Sequence, residues 1–90
     1  AINSGDTVDM VMDKPGKYLL CADYTSDSSE LAQLTISTSL NNVEATKATV
    51  CGTNGSVNTA YLDYTLLGTE MSVSFQFPDA LHIKGIRVMR

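Results

Sequence analysis

Met71, Val73, Phe75 and Phe77 alternate with Ser72, Ser74 and Gln76 without a break. Successive side chains of an extended chain point to opposite faces, so this run predicts a strand with one apolar and one polar face. The same period of two recurs along the chain. Val8, Met10 and Met12 alternate within residues 6–12, and Tyr18, Leu20, Ala22 and Tyr24 within residues 17–24. From about Leu31, Ala32, Leu34 and Ile36 alternate with Gln33, Thr35 and Ser37. Residues 43–51 are rich in β-formers, with Thr46, Ala48 and Val50 on one face and Lys47, Thr49 and Cys51 on the other. Residues 57–65 put Ala60, Leu62 and Tyr64 on one face and Thr59, Tyr61 and Asp63 on the other. In the last run, Leu81 and Ile83 are out of phase with Ile86 and Val88. Keeping all four inward needs one extra residue, and Lys84-Gly85 is the expected β-bulge.

Turn residues separate these runs at intervals of roughly ten residues, which is the spacing of a sandwich or barrel. Asp13-Lys14-Pro15-Gly16 is the strongest turn, because Pro presets φ and Gly accepts positive φ. Ser4-Gly5, Leu40-Asn41-Asn42, Leu66-Leu67-Gly68-Thr69 and Pro78-Asp79-Ala80 mark others. Asn54-Gly55 predicts a hairpin-type turn. Thr25-Ser26-Asp27-Ser28-Ser29 reads as a polar loop, with a rival reading in which Ser28 or Ser29 caps a short helix over Glu30-Leu31-Ala32-Gln33. The strand reading is preferred. The expectation is an all-β, antiparallel β-sandwich of seven strands in a single domain, residues 1–90. The run from Lys17 to Tyr24 is its central strand, since its second face also carries Leu19 and Cys21.

Composition narrows the function more than the fold. The 90 residues are 43% hydrophobic and only 18% charged, with Ser, Thr and Asn abundant, which suits an extracellular or cell-surface β domain. The net charge of −4 and six unclustered basic residues argue against nucleic-acid or anionic-membrane binding. No apolar run reaches the ~18 residues of a membrane-spanning helix, and no signal peptide is visible. The start at Ala1 reads as a processed or excised module of a longer protein. Cys21 and Cys51 are either two small buried residues or an inter-strand disulfide. Neither they nor the single His has metal-ligand spacing, so no metal and no cofactor is expected. Asn54-Gly55-Ser56 is a formal N-glycosylation sequon, of a kind that chance supplies often.

Gly5-Asp6-Thr7-Val8, then Pro15-Gly16-Lys17-Tyr18-Leu19-Leu20 closing on Tyr24, then a strand ending in Asn41-Asn42, resembles the jelly-roll carbohydrate-binding modules. Families 6 and 35, with the galactose-binding-like fold, are the best match, and Ile83-Lys84-Gly85-Ile86-Arg87-Val88 resembles their terminal strand. The resemblance covers most of the chain and implies a jelly-roll sandwich that binds glycans without catalysis, within a secreted or surface multidomain glycan-active protein. Such modules begin with a further strand or two and hold a structural calcium. This chain starts after that point, and Lys84 stands where the calcium-ligating acid would be, so the implied calcium site is expected to be absent, with the Lys84 ammonium supplying positive charge in its place. His82 stands where family 6 often places a sugar-contacting Asn.

Sugar binding by a protein surface usually uses an aromatic face outside the core and polar partners for hydroxyls. Tyr61 points away from the core-facing Ala60, Leu62 and Tyr64, beside Asp63 and Thr59, and Tyr24 sits at a loop edge. Tyr61, Asp63, Tyr24 and His82 are therefore the candidate ligand-binding residues, while Tyr18 and Tyr64 are expected in the core. Asp6, Asp9 and Asp13 lie close in sequence and read as solvated strand and turn acids rather than a calcium or acid–base cluster. One His and no phosphate-binding loop give enzymology little material. The alternative to a glycan module is a structural or protein–protein interaction sandwich, with other domains of a parent protein as partners or a dimer formed by edge-strand pairing.

Overall fold

The computed structural model describes residues 2–89. Seven strands run in chain order: β1 (Thr7–Val11), β2 (Gly16–Ser26), β3 (Gln33–Leu40), β4 (Val43–Cys51), β5 (Asn58–Leu66), β6 (Glu70–Gln76) and β7 (Leu81–Met89). They form two antiparallel sheets, one ordered β1-β6-β3-β4 and the other β5-β2-β7. β3 pairs with β4, β2 with β5 and β1 with β6, each pair enclosing the one before. The chain is thus one long hairpin rolled over on itself, the nesting of a jelly roll, with β7 added along β2. No helix forms at Glu30–Gln33. Ala32 N–H closes a turn on the Ser29 carbonyl, Leu31 is exposed, and β3 starts at Gln33.

Period-two patterning sets which face each strand buries. Tyr18, Leu20, Ala22 and Tyr24 of β2 meet Ala60, Leu62, Tyr64 and Leu66 of β5 and Leu81 and Ile83 of β7 on one inner face. Leu34, Ile36, Met71, Val73 and Phe75 supply the other. Phe75, Leu20, Ile36 and Leu62 are fully buried, and each such side chain contributes about 1.5–3 kcal/mol. β2 pairs on both sides, which makes it the central strand. β7 keeps its apolar residues inward through a bulge: Asp23 pairs with Gly85 and Tyr24 with Ile83, leaving Lys84 as the extra residue.

The tip of the rolled hairpin is Asn41-Asn42, both at positive φ (50° and 67°), the geometry of a two-residue hairpin turn. Asn41 also extends the β3–β6 ladder. Its backbone N–H donates to the Ser72 carbonyl, while its side chain donates to the Glu70 carbonyl and accepts from the Ser72 N–H. Asn54-Gly55 forms a tight positive-φ turn as expected, but it does not make a hairpin, because β4 and β5 lie in different sheets. Its loop folds instead over the end of β2. Thr53 Oγ1 accepts the Ser26 N–H, the Gly55 N–H donates to the Ser26 carbonyl, and the Asn54 N–H to the Ser28 carbonyl.

A second irregularity joins the sheets. Between the pairs Ser37–Lys47 and Ser39–Glu44, the single residue Thr38 of β3 faces two of β4, Ala45 and Thr46. This bulge withdraws the Thr46 carbonyl from the regular ladder, and Thr38 Oγ1 donates to it at 2.6 Å. Tyr64 crosses the core from β5 and donates its hydroxyl to the same Thr38 Oγ1 at 2.9 Å. Thr46 Oγ1 returns the link by donating to the Asp63 carbonyl of β5. Two edge strands from different sheets are thereby closed against each other.

Two expectations follow. A Cβ on Gly52 would lie 1.8 Å from the Ser29 carbonyl oxygen, so Gly52→Ala should lose more than about 2 kcal/mol in urea unfolding, whereas Gly68→Ala, where a Cβ meets nothing within 4 Å, should stay within about 0.5 kcal/mol. Burial raises the Tyr64 pKa from 10.0, partly offset by its bond to Thr38, so the fold favours the neutral phenol. That contribution is present in full below pH about 10 and is lost as pH rises through the folded-state value. Tyr64→Phe should therefore cost about 1 kcal/mol at pH 7 and flatten the alkaline fall in stability, measured by denaturant titration across pH 8–12.

Candidate functional site

The outer face of the three-stranded sheet collects the side chains that β2, β5 and β7 turn away from the core. Register arranges them in rows across the strands. Asp63, Leu19 and Met89 form one row, Tyr61, Cys21 and Arg87 the next, and Thr59, Asp23 and Gly85 the third. Tyr61 is 61% exposed although it stands on a regular strand. An aromatic ring left in water on a sheet face is the feature that core packing does not explain. Cys21, beside it, is buried on this outward side. Its Sγ lies 3.8 Å from the Met89 Sδ, and Tyr61 and Arg87 flank it in register. The centre of the face is thus an apolar, sulfur-lined floor.

Its rims are polar. On the β7 side, Asp23 Oδ1 accepts both the Thr59 hydroxyl at 2.8 Å and Arg87 Nη2 at 2.9 Å. The Thr59 bond, with help from Arg87 and against partial desolvation, lowers the Asp23 pKa from 3.8, so the carboxylate is ionised at neutral pH. On the β5 side, the exposed Asp63 carboxylate has no hydrogen-bond or ion-pair partner among the described residues.

Of the four residues singled out from the sequence, the fold brings Tyr61 and Asp63 together. Tyr24 is a correction. It is buried at the core end of β2 and donates its hydroxyl to the Cys51 carbonyl at 3.2 Å, so it offers no contact surface. β2 continues to Ser26 and the loop of residues 52–56 covers this end, which turns an expected loop-edge Tyr into a core one. His82 lies on the same outer face but at its far end, opposite Thr25, four residues and about 13 Å along β2 from Cys21. Its Nε2 sits 2.9 Å from Asp27 Oδ2. Sequence reasoning missed Asp23, Arg87 and their link to Thr59. The outward parity of Asp23 and Thr59 was visible, but not which strands flank β2.

Cys21 and Cys51 are both free thiols, so the bridge between them does not form. Cys21 faces outward from the three-stranded sheet, while Cys51 ends β4 in the four-stranded one, exposed and opposite Gln33. Packed sheets stand about 10 Å apart, beyond the reach of a disulfide. Asp6, Asp9 and Asp13 are engaged separately, by the Asn3 N–H, the Ser72 hydroxyl and the Tyr18 hydroxyl. Among the described residues, no group of three or more His, Cys, Asp or Glu is placed to hold a metal. Lys84 is exposed at the bulge.

A separate groove of about 600 Å³ opens between β4 and β5 beyond the Thr46–Asp63 contact. Leu40, Val43, Ala45, Leu66 and Leu67 make it mainly aliphatic, and Val43 and Leu67 are largely exposed.

Comparison with known proteins bears on the fold. Among solved structures, the C-terminal domain of EclA, described as a sugar-binding protein, is similar with a TM-score of 0.55 at 10% sequence identity, over 99% of this chain and 81% of that one. The likeness is one of fold. No family model matches the chain, and no curated protein matches it. The resemblance to families 6 and 35 therefore rests on the strand and turn motifs alone.

The Asp23 network yields a direct check. Its carboxyl should titrate below 3.8 when followed by NMR, and Thr59→Val should move that midpoint upward. Because the folded pKa is the lower one, the network stabilises the fold above pH about 4 and loses its effect as pH falls through the folded value.

Proposed function

We propose that this chain is a non-catalytic carbohydrate-binding module whose ligand stacks on Tyr61. The observation that carries the reading is the exposed Tyr61 ring on a rigid sheet face beside the unpartnered Asp63 carboxylate. The ring offers a flat apolar surface to the C–H face of a pyranose, and the carboxylate accepts from its hydroxyls. A site built on strands holds these groups in place without ordering a loop, which limits the entropy lost on binding. The fold it shares with a sugar-binding protein supports the reading, as do the strand motifs resembling carbohydrate-binding modules. In this reading the module is secreted or displayed at the cell surface as part of a larger glycan-active protein.

A second reading, a protein-interaction sandwich, is favoured by the aliphatic groove between β4 and β5, which has no exposed aromatic ring for a sugar.

A glycan array distinguishes them. The wild-type chain should bind at least one glycan class, and Tyr61→Ala should abolish the signal while leaving the thermal midpoint within a few degrees. Failure to bind any glycan would overturn the carbohydrate reading.

A further inference from the structure

The Asp23–Arg87 pair lies on the same face as Tyr61 and is not used by the stacking site. We infer that it forms a second sugar subsite, so that the face takes neutral saccharides of two or more units, laid across the strands, in preference to single or acidic sugars. This deepens the carbohydrate reading and rests on it.

Spacing gives the length. Tyr61, Cys21 and Arg87 stand in register on three adjacent strands, so Tyr61 and Arg87 are two strand spacings apart, about 9.5 Å between backbones. One pyranose ring stacked on Tyr61 falls short of Arg87, whereas two linked rings span the gap. Between them Cys21 is sealed beneath its neighbours, and the partly exposed Leu19 and Met89 in the next row supply the apolar surface for C–H groups. Gly85 is in register with Asp23, and a side chain there would meet nothing within 4 Å, so open space lies beside the pair.

Hydrogen-bonding capacity gives the chemistry. Thr59 and Arg87 both bond to Oδ1 of Asp23, which leaves Oδ2 without a partner among the described residues. Arg87 uses Nη2 for that contact and is otherwise largely exposed, with further N–H donors in a planar fork. An acceptor and several donors held side by side match two adjacent hydroxyls of a sugar, each of which both donates and accepts. Thr59 on one flank and Arg87 on the other hold the Asp23 carboxylate before any ligand arrives.

Charge gives the selectivity. Asp23 neutralises Arg87 locally, so the pair presents polarity without net charge. The unpartnered Asp63 beside Tyr61 faces any ligand stacked there. A uronic or sialic acid would meet like charge at the first subsite and, at the second, a guanidinium whose charge Asp23 already offsets.

The test is calorimetric titration with a ladder built on the best neutral array binder: its monosaccharide, disaccharide and trisaccharide, and a uronate-containing disaccharide. Affinity should rise at least tenfold from mono- to disaccharide and fall for the uronate. Arg87→Gln, Arg87→Lys and Asp23→Asn should each erase the disaccharide gain, Arg87→Lys included because an ammonium lacks the fork. Thermal unfolding of each variant confirms that it is folded. A disaccharide that binds no better than the monosaccharide, a gain that survives Arg87→Gln in a folded variant, or tighter binding of the uronate would overturn the subsite while leaving a Tyr61-dependent sugar site standing. Loss of all glycan binding in the wild type would overturn both.

Discussion

Tyr64, Thr38 and Thr46 hold the two sheets in register where the fold is least able to do so by pairing. β4 and β5 are both edge strands, each with a partner on one side only. The phenol of Tyr64 reaches across the core to Thr38, the Thr38 hydroxyl in turn donates a hydrogen bond to the Thr46 carbonyl, and the Thr46 hydroxyl reaches back to the Asp63 carbonyl. The Tyr64–Thr38 bond is buried and the Thr38–Thr46 bond partly so, so leaving either unmade would carry a desolvation penalty, whereas the Thr46–Asp63 bond closes the relay at the surface. The β4 bulge is what makes the relay feasible, because it turns out of the ladder the carbonyl that Thr38 then satisfies. No buried side-chain nitrogen or oxygen is left without a partner among the described residues.

The same relay bears on function through β5. Tyr61 and Asp63 belong to an edge strand, and edge strands fray unless something secures them. β5 is secured along its length by β2 and at Asp63 by Thr46 from the opposite sheet. The backbone of Asp63 is therefore fixed from the β4 side while its carboxylate remains directed to the outer face. Burial of Tyr64 and exposure of Tyr61, three residues apart in parity, are two results of one strand having two faces.

Most of the architecture was legible in the alternation of side chains. The strands, the inward Tyr18 and Tyr64, the outward Tyr61 and Asp63, and the bulge at Lys84-Gly85 all follow from period two and from the turn residues. What alternation cannot encode is which strand lies beside which. Tyr24 lies in the core rather than at a loop edge because its cover comes from residues 52–56, remote in sequence. The fate of Cys21 and Cys51 depended on their falling in different sheets, which no local pattern records. The Asp23–Arg87 contact is hidden from alternation for the same reason: the two residues are 64 positions apart and meet only because β7 returns to pair with β2.

The nesting of the strand pairs has a consequence for how the chain reaches this state. Loop-closure entropy grows with the length of chain that must be enclosed. Starting at the Asn41-Asn42 tip, β3 and β4 meet across two residues, and each outer pair then has only its own short connections left to close. Starting from β1 and β6 would require enclosing everything from Val11 to Glu70 at once. The topology is non-local when contacts are counted by sequence separation, but it offers an order of assembly in which every step is nearly local. The two asparagines at the tip are thus the origin from which the sandwich can be rolled up.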